Sequence, residues 1–277
     1  MSRELRLRVI SGIVLAAIVL AATWYGGLAF ELLSALIALL IYYEWSTISG
    51  LHERDPQGNA LGWLGIVAIA VMTVMEVPAY SVGALLLFMA LTAVLVSIRR
   101  KSWWLPAGIL YAGLTAIALA EIRDDNLVGF VVMLFVFATV WATDIFAYFI
   151  GRALGGPKLA PRISPGKTWS GAIGGAVAAV IAGTGVAWSF FPGTGLRVVC
   201  VALLLSVCSQ AGDLFESFVK RRFGVKDSSH LIPGHGGVMD RVDGLIFACF
   251  AAFLLAIVLS LATDGETVSL GGVLLGV

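Results

Sequence analysis

Charge is scarce in this chain. Of its 277 residues, 13% are Asp, Glu, Lys or Arg and 60% are hydrophobic, and the mean hydropathy is +0.98. A soluble domain carries about a quarter charged residues, so the shortage argues against a water-exposed globule and for a chain in a bilayer. Cysteine is scarce too. Cys200, Cys208 and Cys249 all lie in apolar runs with no CxxC pair, which argues against thiolate metal sites and disulfides and for small core side chains. Low-complexity tracts, internal repeats and a soluble domain are also missing. The apolar runs are continuous rather than alternating, which tells against a β-barrel.

What the chain does have is apolar segments of membrane-crossing length, about 20 residues. Nine come near it: 9–26, 27–44, 61–78, 80–98, 104–121, 127–150, 169–191, 196–219 and 242–262. The start, MSRELRLRVISGIVLAAIVLAATWYGG, has the basic head of a signal peptide, but its apolar stretch is long and no small-x-small cleavage site precedes a soluble domain, so it is expected to be a retained first helix. The final VSLGGVLLGV is too short to span and is expected at the surface. The expected fold is therefore an all-α polytopic membrane protein of about nine transmembrane helices. Residues 1–126 read as scaffold and 127–277 as a catalytic region.

Placing Arg3, Arg6 and Arg8 in the cytoplasm puts alternate loops there as well. That choice gathers 16 of the 18 basic residues on one side and leaves Arg123 and Arg197 on the other. A wrong helix count would scramble this bias, so the expectation is nine spans with a cytoplasmic N-terminus.

The polar residues that remain fall into four groups. In SQAGDLFESFVKRR, Asp213, Glu216, Ser217 and Lys220 share one helix face. Asp213 lies about two turns inside the apparent helix end, where a carboxylate must be paired, hydrated or bound to a cation. A salt-bridge cluster with Lys220 and Arg221 is the plainer explanation. In HGGVMDRVDG, Asp240 and Asp243 open a helix whose macrodipole favours acids in any case. Gly234, Gly236 and Gly237 around His235 allow close backbone approach and present N–H groups to anions. With no second ligand at zinc spacing, His230 and His235 do not read as a zinc site. In TDIFAYFIGR, Asp144 sits at about the depth of Asp213, which suggests a shared divalent cation, magnesium or manganese for oxygen donors near phosphate. In PKLAPRISPGKTWSG, the GKT ending imitates a nucleotide-binding P-loop, but Pro161 stands where that motif needs Gly. No strand is expected before it. What remains is a basic loop with Lys158, Arg162 and Lys167 and a Ser164-Pro165 turn leading into a helix, features that suit phosphate as well as topology.

Together these groups point to phosphoryl-group chemistry on a lipid at the cytoplasmic leaflet. The stretch SFVKRRFGVKDSSHLIPGHGGVMDRVD, Ser217 to Asp243, closely resembles the signature of phosphatidate cytidylyltransferases, also called CDP-diacylglycerol synthases. The matching positions are Ser217, Lys220, Arg221, Lys226, Asp227, Pro233, His235, Gly236, Gly237, Asp240, Arg241 and Asp243. The surroundings of Asp144 and of Lys158–Gly171 are similar to that family as well, except for Gly166 where Lys is common and Ser170 where Glu or Gln is frequent.

The resemblance implies that CTP and phosphatidic acid give CDP-diacylglycerol and pyrophosphate, with magnesium or manganese and a metal pair between Asp213 and Asp240, assisted by Asp144. It implies catalytic roles for Lys220, Arg221, Asp213 and Asp240. Ser164, Lys167, Ser217, Lys226, Asp227, His235, Gly236, Gly237, Arg241 and Asp243 would bind substrate. The implied partners are CTP, phosphatidic acid and the bilayer of the cell (cytoplasmic) membrane, with the site facing the cytoplasm and no nucleic acid. The sequence leaves open whether the chain forms a homodimer. Two rivals stay in view. A CTP-dependent lipid-alcohol kinase would use similar glycine and acid motifs. A phospholipid or ion transporter would place its acids near the midplane instead.

Overall fold

The computed structural model describes residues 3–262 and 269–277, with side chains from residue 9 onward. The side chains of Arg3, Arg6 and Arg8, which anchor the charge argument, lie outside the described residues. The elements in order are α1 (Arg3–Tyr25), α2 (Gly27–Ile48), α3 (Leu51–Arg54), α4 (Pro56–Val74), α5 (Pro78–Arg99), α6 (Trp104–Arg123), α7 (Leu127–Leu154), β1 (Lys158–Ala160), β2 (Ser164–Thr168), α8 (Trp169–Phe190), α9 (Leu196–Arg222), α10 (Met239–Ala262) and α11 (Leu270–Leu275). Among the described residues, eight helices are long and apolar enough to cross a membrane, and α1 adds a shorter apolar stretch, Val9–Tyr25. The all-α polytopic fold is therefore present. The helices start and stop at recognisable signals. Asp55 caps α4 through Gly58 N at 3.2 Å, with Pro56 in the first turn, and Asn126 caps α7 through Gly129 N at 2.7 Å.

Two local expectations are corrected. The basic stretch after α7 is not a plain loop but an antiparallel hairpin, with Lys158 opposite Thr168 and Ala160 opposite Ser164. Ser164 and Pro165 lie inside β2 rather than in a turn, because a two-stranded ribbon is all edge and tolerates the N–H that Pro lacks. The turn falls at residues 161–163, and α8 is capped by Thr168, whose Oγ1 accepts from Gly171 N at 3.2 Å. The tail is not at the surface either. Gly271–Leu275 of α11 are buried, Ser269 caps the helix, and Arg197 donates from Nη1 to the Val273 carbonyl at 3.0 Å. Glycine makes this possible, since a Cβ at Gly271 would stand 3.0 Å from Val132.

By packing, the chain divides into two compact units, Met1–Ala120 with Arg222–Arg241, and Glu121–Arg221 with Val242–Val277. The strip 222–241 thus packs with the N-terminal helices. In that first unit, α4 packs on α2 and α5. Tyr42 donates to Asn59 Oδ1 at 3.3 Å, and Trp45 donates to the Trp104 carbonyl at 2.8 Å while stacking on Tyr111. Phe223 meets Trp104 edge-on at 5.0 Å and so holds the start of the strip against α6.

In the second unit, α7 and α8 approach very closely, as small residues allow in membrane helices. A Cβ at Gly171 would stand 2.6 Å from the Ala147 carbonyl, and one at Gly175 would stand 2.7 Å from the Thr143 carbonyl. A buried Thr143–Ser206 hydrogen bond of 2.7 Å ties α7 to α9. These contacts fix the face of α7 that carries Asp144.

Candidate functional site

The second unit contains a cavity of about 700 Å³ between α7, the hairpin, α8 and α9. That volume is within the range of small-molecule sites. Asp144 and Tyr148 line it from α7, Lys158, Ser164 and Lys167 from the hairpin, and Gln210 and Asp213 from α9. Lys167 forms an ion pair with Asp213, and Ser217, one turn further along α9, donates to Asp213 Oδ1 at 3.5 Å. Asp213 is thus paired with a cation delivered by the hairpin. Lys220 pairs instead with the buried Glu216 at 2.5 Å. Asp243, at the start of α10, lies within electrostatic reach of both Asp213 and Asp144, with Lys167 the cation among the three. Gly212 permits this approach, since a Cβ there would stand 2.5 Å from the Asp243 carbonyl.

When all are ionised, three carboxylates against one lysine give this cluster a formal excess of two negative charges. That excess, supplied wholly by oxygen donors, suits a hard divalent cation. Among the described residues, no three His, Cys, Asp or Glu side chains are set to hold a metal by themselves. Magnesium is typically held by one or two carboxylates with water and substrate phosphates completing its shell, and Asp144 and Asp213 are the carboxylates that line this cavity.

The first unit carries a second polar cavity, of about 660 Å³, lined by Lys226, Asp227, His230, His235, Gly236 and Arg241. An isolated bridge between Ile232 and Gly236 closes the loop, and Arg241 Nε donates to the His235 carbonyl at 3.0 Å. Ser11 of α1 hydrogen-bonds His235 Nδ1 at 2.6 Å. Asp240 Oδ2 accepts from Ser228 N, Ser228 Oγ and Gly237 N at 2.7–2.8 Å. Gly237 therefore gives its own N–H to Asp240. Its missing side chain makes room for protein groups, because a Cβ there would collide with Ser228 Oγ and Glu44 Oε1.

The fifteen residues expected to act thus fall into two sets. Asp144, Ser164, Lys167, Asp213, Ser217, Lys220, Arg221 and Asp243 belong to the second unit, and Lys226, Asp227, His235, Gly236, Gly237, Asp240 and Arg241 to the first. Sequence reasoning missed Gln210, which donates to the Ala172 carbonyl at 3.3 Å in the cavity wall. It also missed Glu44, Ser228 and Ser229. Glu44 did give a signal, as an acid inside the apolar run of α2, but the early helices read as scaffold.

Such a frame, with long apolar helices and with lysines and carboxylates lining two cavities, defines a polytopic membrane protein. Residues 6–259 match the Cytidylyltransferase family, and the chain belongs to that family. It is 48% identical over 256 residues to the phosphatidate cytidylyltransferase of Brucella abortus (strain 2308), covering 91% of this chain and 93% of that one. The protein of the same name from Haemophilus influenzae is 36% identical, covering 88% and 96% of the two chains. That from Pseudomonas aeruginosa is 34% identical, covering 91% and 97%.

Proposed function

We infer that this chain is a phosphatidate cytidylyltransferase: it transfers the cytidylyl group of CTP to phosphatidic acid and releases pyrophosphate. The observation that carries the reading is the family relationship over residues 6–259, in a chain whose basic and acidic residues line cavities of small-molecule size. A phosphate oxygen of phosphatidate forms a bond to the α-phosphorus of CTP. The bond from that phosphorus to the bridging oxygen breaks, and pyrophosphate leaves with its electron pair. A phosphate monoester has a second pKa near 6, so the nucleophile is already largely ionised at neutral pH and needs no dedicated base.

The main obstacle is repulsion between two polyanions. Lys158 and Lys167 on the hairpin, and Lys220, Arg221, Lys226 and Arg241 along the strip, are the residues assigned to offset it. Ser164, Ser217, Asp227, His235, Gly236 and Gly237 are assigned to orient the phosphates and the nucleotide. Asp213 and Asp144 would hold magnesium, with Asp243 beside them; for Asp240 a metal-binding role is assigned by the family resemblance alone. When bound, the metal neutralises charge on the phosphates and on the leaving pyrophosphate. The charge bias of the loops supports a site facing the cytoplasm. Nothing in this chemistry requires a homodimer.

The test is incorporation of cytidine-labelled CTP into lipid by the purified protein with phosphatidate, with magnesium or with EDTA. Label in CDP-diacylglycerol supports the reading. With diacylglycerol supplied in place of phosphatidate, labelled CDP released into water would identify a lipid-alcohol kinase, and no turnover with either lipid would favour transport.

A further inference from the structure

Glu44 has no place in that chemistry, yet its surroundings are highly organised. It lies near the end of α2, a largely apolar helix whose other acid is Glu31, and its side chain is fully buried. An acid in such a position is a functional candidate by default. Oε1 accepts from Ser229 Oγ at 2.6 Å and from Val238 N at 2.7 Å. Oε2 accepts from Met239 N at 2.7 Å and from Ser228 Oγ at 3.1 Å. Two acceptances per oxygen is the pattern an ionised carboxylate satisfies. Val238 immediately precedes α10 and Met239 opens it, so the carboxylate also caps that helix from another element, where its macrodipole favours an anion. Ser228 shares its hydroxyl between Glu44 and Asp240 Oδ2, which links the two acids through one side chain.

We propose that Glu44 is a positioning residue for cytidylyl transfer, an anionic peg that fixes the 228–239 strip and, through Ser228, the orientation of Asp240. The inference rests on the function proposed above. A buried hydrogen bond to a charged group contributes about 1.5–3 kcal/mol, a factor of roughly 10–150. Glu44 makes several such bonds to one short segment. Gly237 belongs to the same arrangement, because any side chain there would displace the peg.

The test uses Glu44→Gln in the full-length protein in detergent. Glutamine keeps the shape but turns an amide donor toward either the Val238 or the Met239 N–H. Expected are a fall of about 10²-fold in kcat/KM and faster hydrogen exchange confined to residues 226–240. The other helices keep their protection. Activity within threefold of wild type would overturn the proposal. So would exchange rising uniformly over all helices while the folded fraction keeps full specific activity, since that is what a general stabilising role gives.

If Glu44→Gln does not fold, Ser229→Ala decides the matter. It removes one donor and leaves the helices intact, and it should lose about tenfold in kcat/KM with faster exchange at Val238. Wild-type behaviour in that variant would equally overturn the idea. Should the wild type make no CDP-diacylglycerol, the functional reading fails by itself, while the exchange pattern still reports whether Glu44 holds the strip.

Discussion

Removing the Lys167 ammonium should separate a metal site from a salt-bridge cluster. Lys167 is the cation within reach of Asp144, Asp213 and Asp243, and it is paired directly with Asp213. With every carboxylate ionised, the formal charge of the wild-type cluster is −2, of Lys167→Met −3, of Asp213→Asn −1 and of the double variant −2 again. The two side chains are 27% and 32% exposed, so the pair lies between a surface and a buried one. Its loss should cost about 1–3 kcal/mol, between roughly 0–1 for a surface pair and about 3–5 for a buried one. In EDTA, Lys167→Met should melt lowest, and the double variant should recover most of that loss. Magnesium at 100 times its dissociation constant stabilises by about 2.7 kcal/mol through mass action. The melting rise on adding it should therefore be largest for Lys167→Met, intermediate for wild type and smallest for Asp213→Asn. Thermal melts in detergent with EDTA or magnesium measure this directly. A rise equal in all four proteins would refute the assignment, as would a large melting loss in EDTA for Asp213→Asn with activity retained in the folded fraction.

Two further outcomes are expected. In a background lacking Cys200, Cys208 and Cys249, single cysteines at Lys101, Lys158 and Lys226 should label from one side of the membrane and those at Asp125 and Gly195 from the other; labelling of 158 and 226 from opposite sides would sink the orientation. Arg221→Ala and Lys226→Ala should each lose about 10²–10³-fold in turnover, as loss of one charge-stabilising contact does, while Arg54→Ala and Arg99→Ala stay within threefold; equal, mild effects at all four would mean that the strip only sets topology.

How much could be read from the chain itself varies with the kind of signal. The spanning helices were plain because apolar runs of about 20 residues have few other uses. The acids Asp144 and Asp213 stood out by depth in their helices, and they do line one cavity. The hairpin was hidden because KLA and SPGKT are too short and too polar to show alternation, and Pro165 argues against a strand unless that strand is an edge. The partner of Asp213 was hidden for a related reason. Helical spacing pointed to Lys220 on the same helix, but helical spacing says nothing of a lysine delivered by a hairpin about 50 positions earlier.

Glu44 is the more instructive miss, because its signal was as strong as that of Asp213. Both are carboxylates in largely apolar helices, each of which carries one further acid, Glu31 in α2 and Glu216 in α9. One was noticed because lysines and arginines surround it in sequence, and the other was passed over because its donors are serine hydroxyls and backbone N–H groups nearly two hundred residues away. In a membrane protein an isolated acid must be satisfied somewhere. The absence of local cations around Glu44 was therefore itself evidence that a distant polar segment folds onto it. The strip from Ser228 to Met239, short of apolar residues and rich in free donors, was the segment in the chain best able to do so.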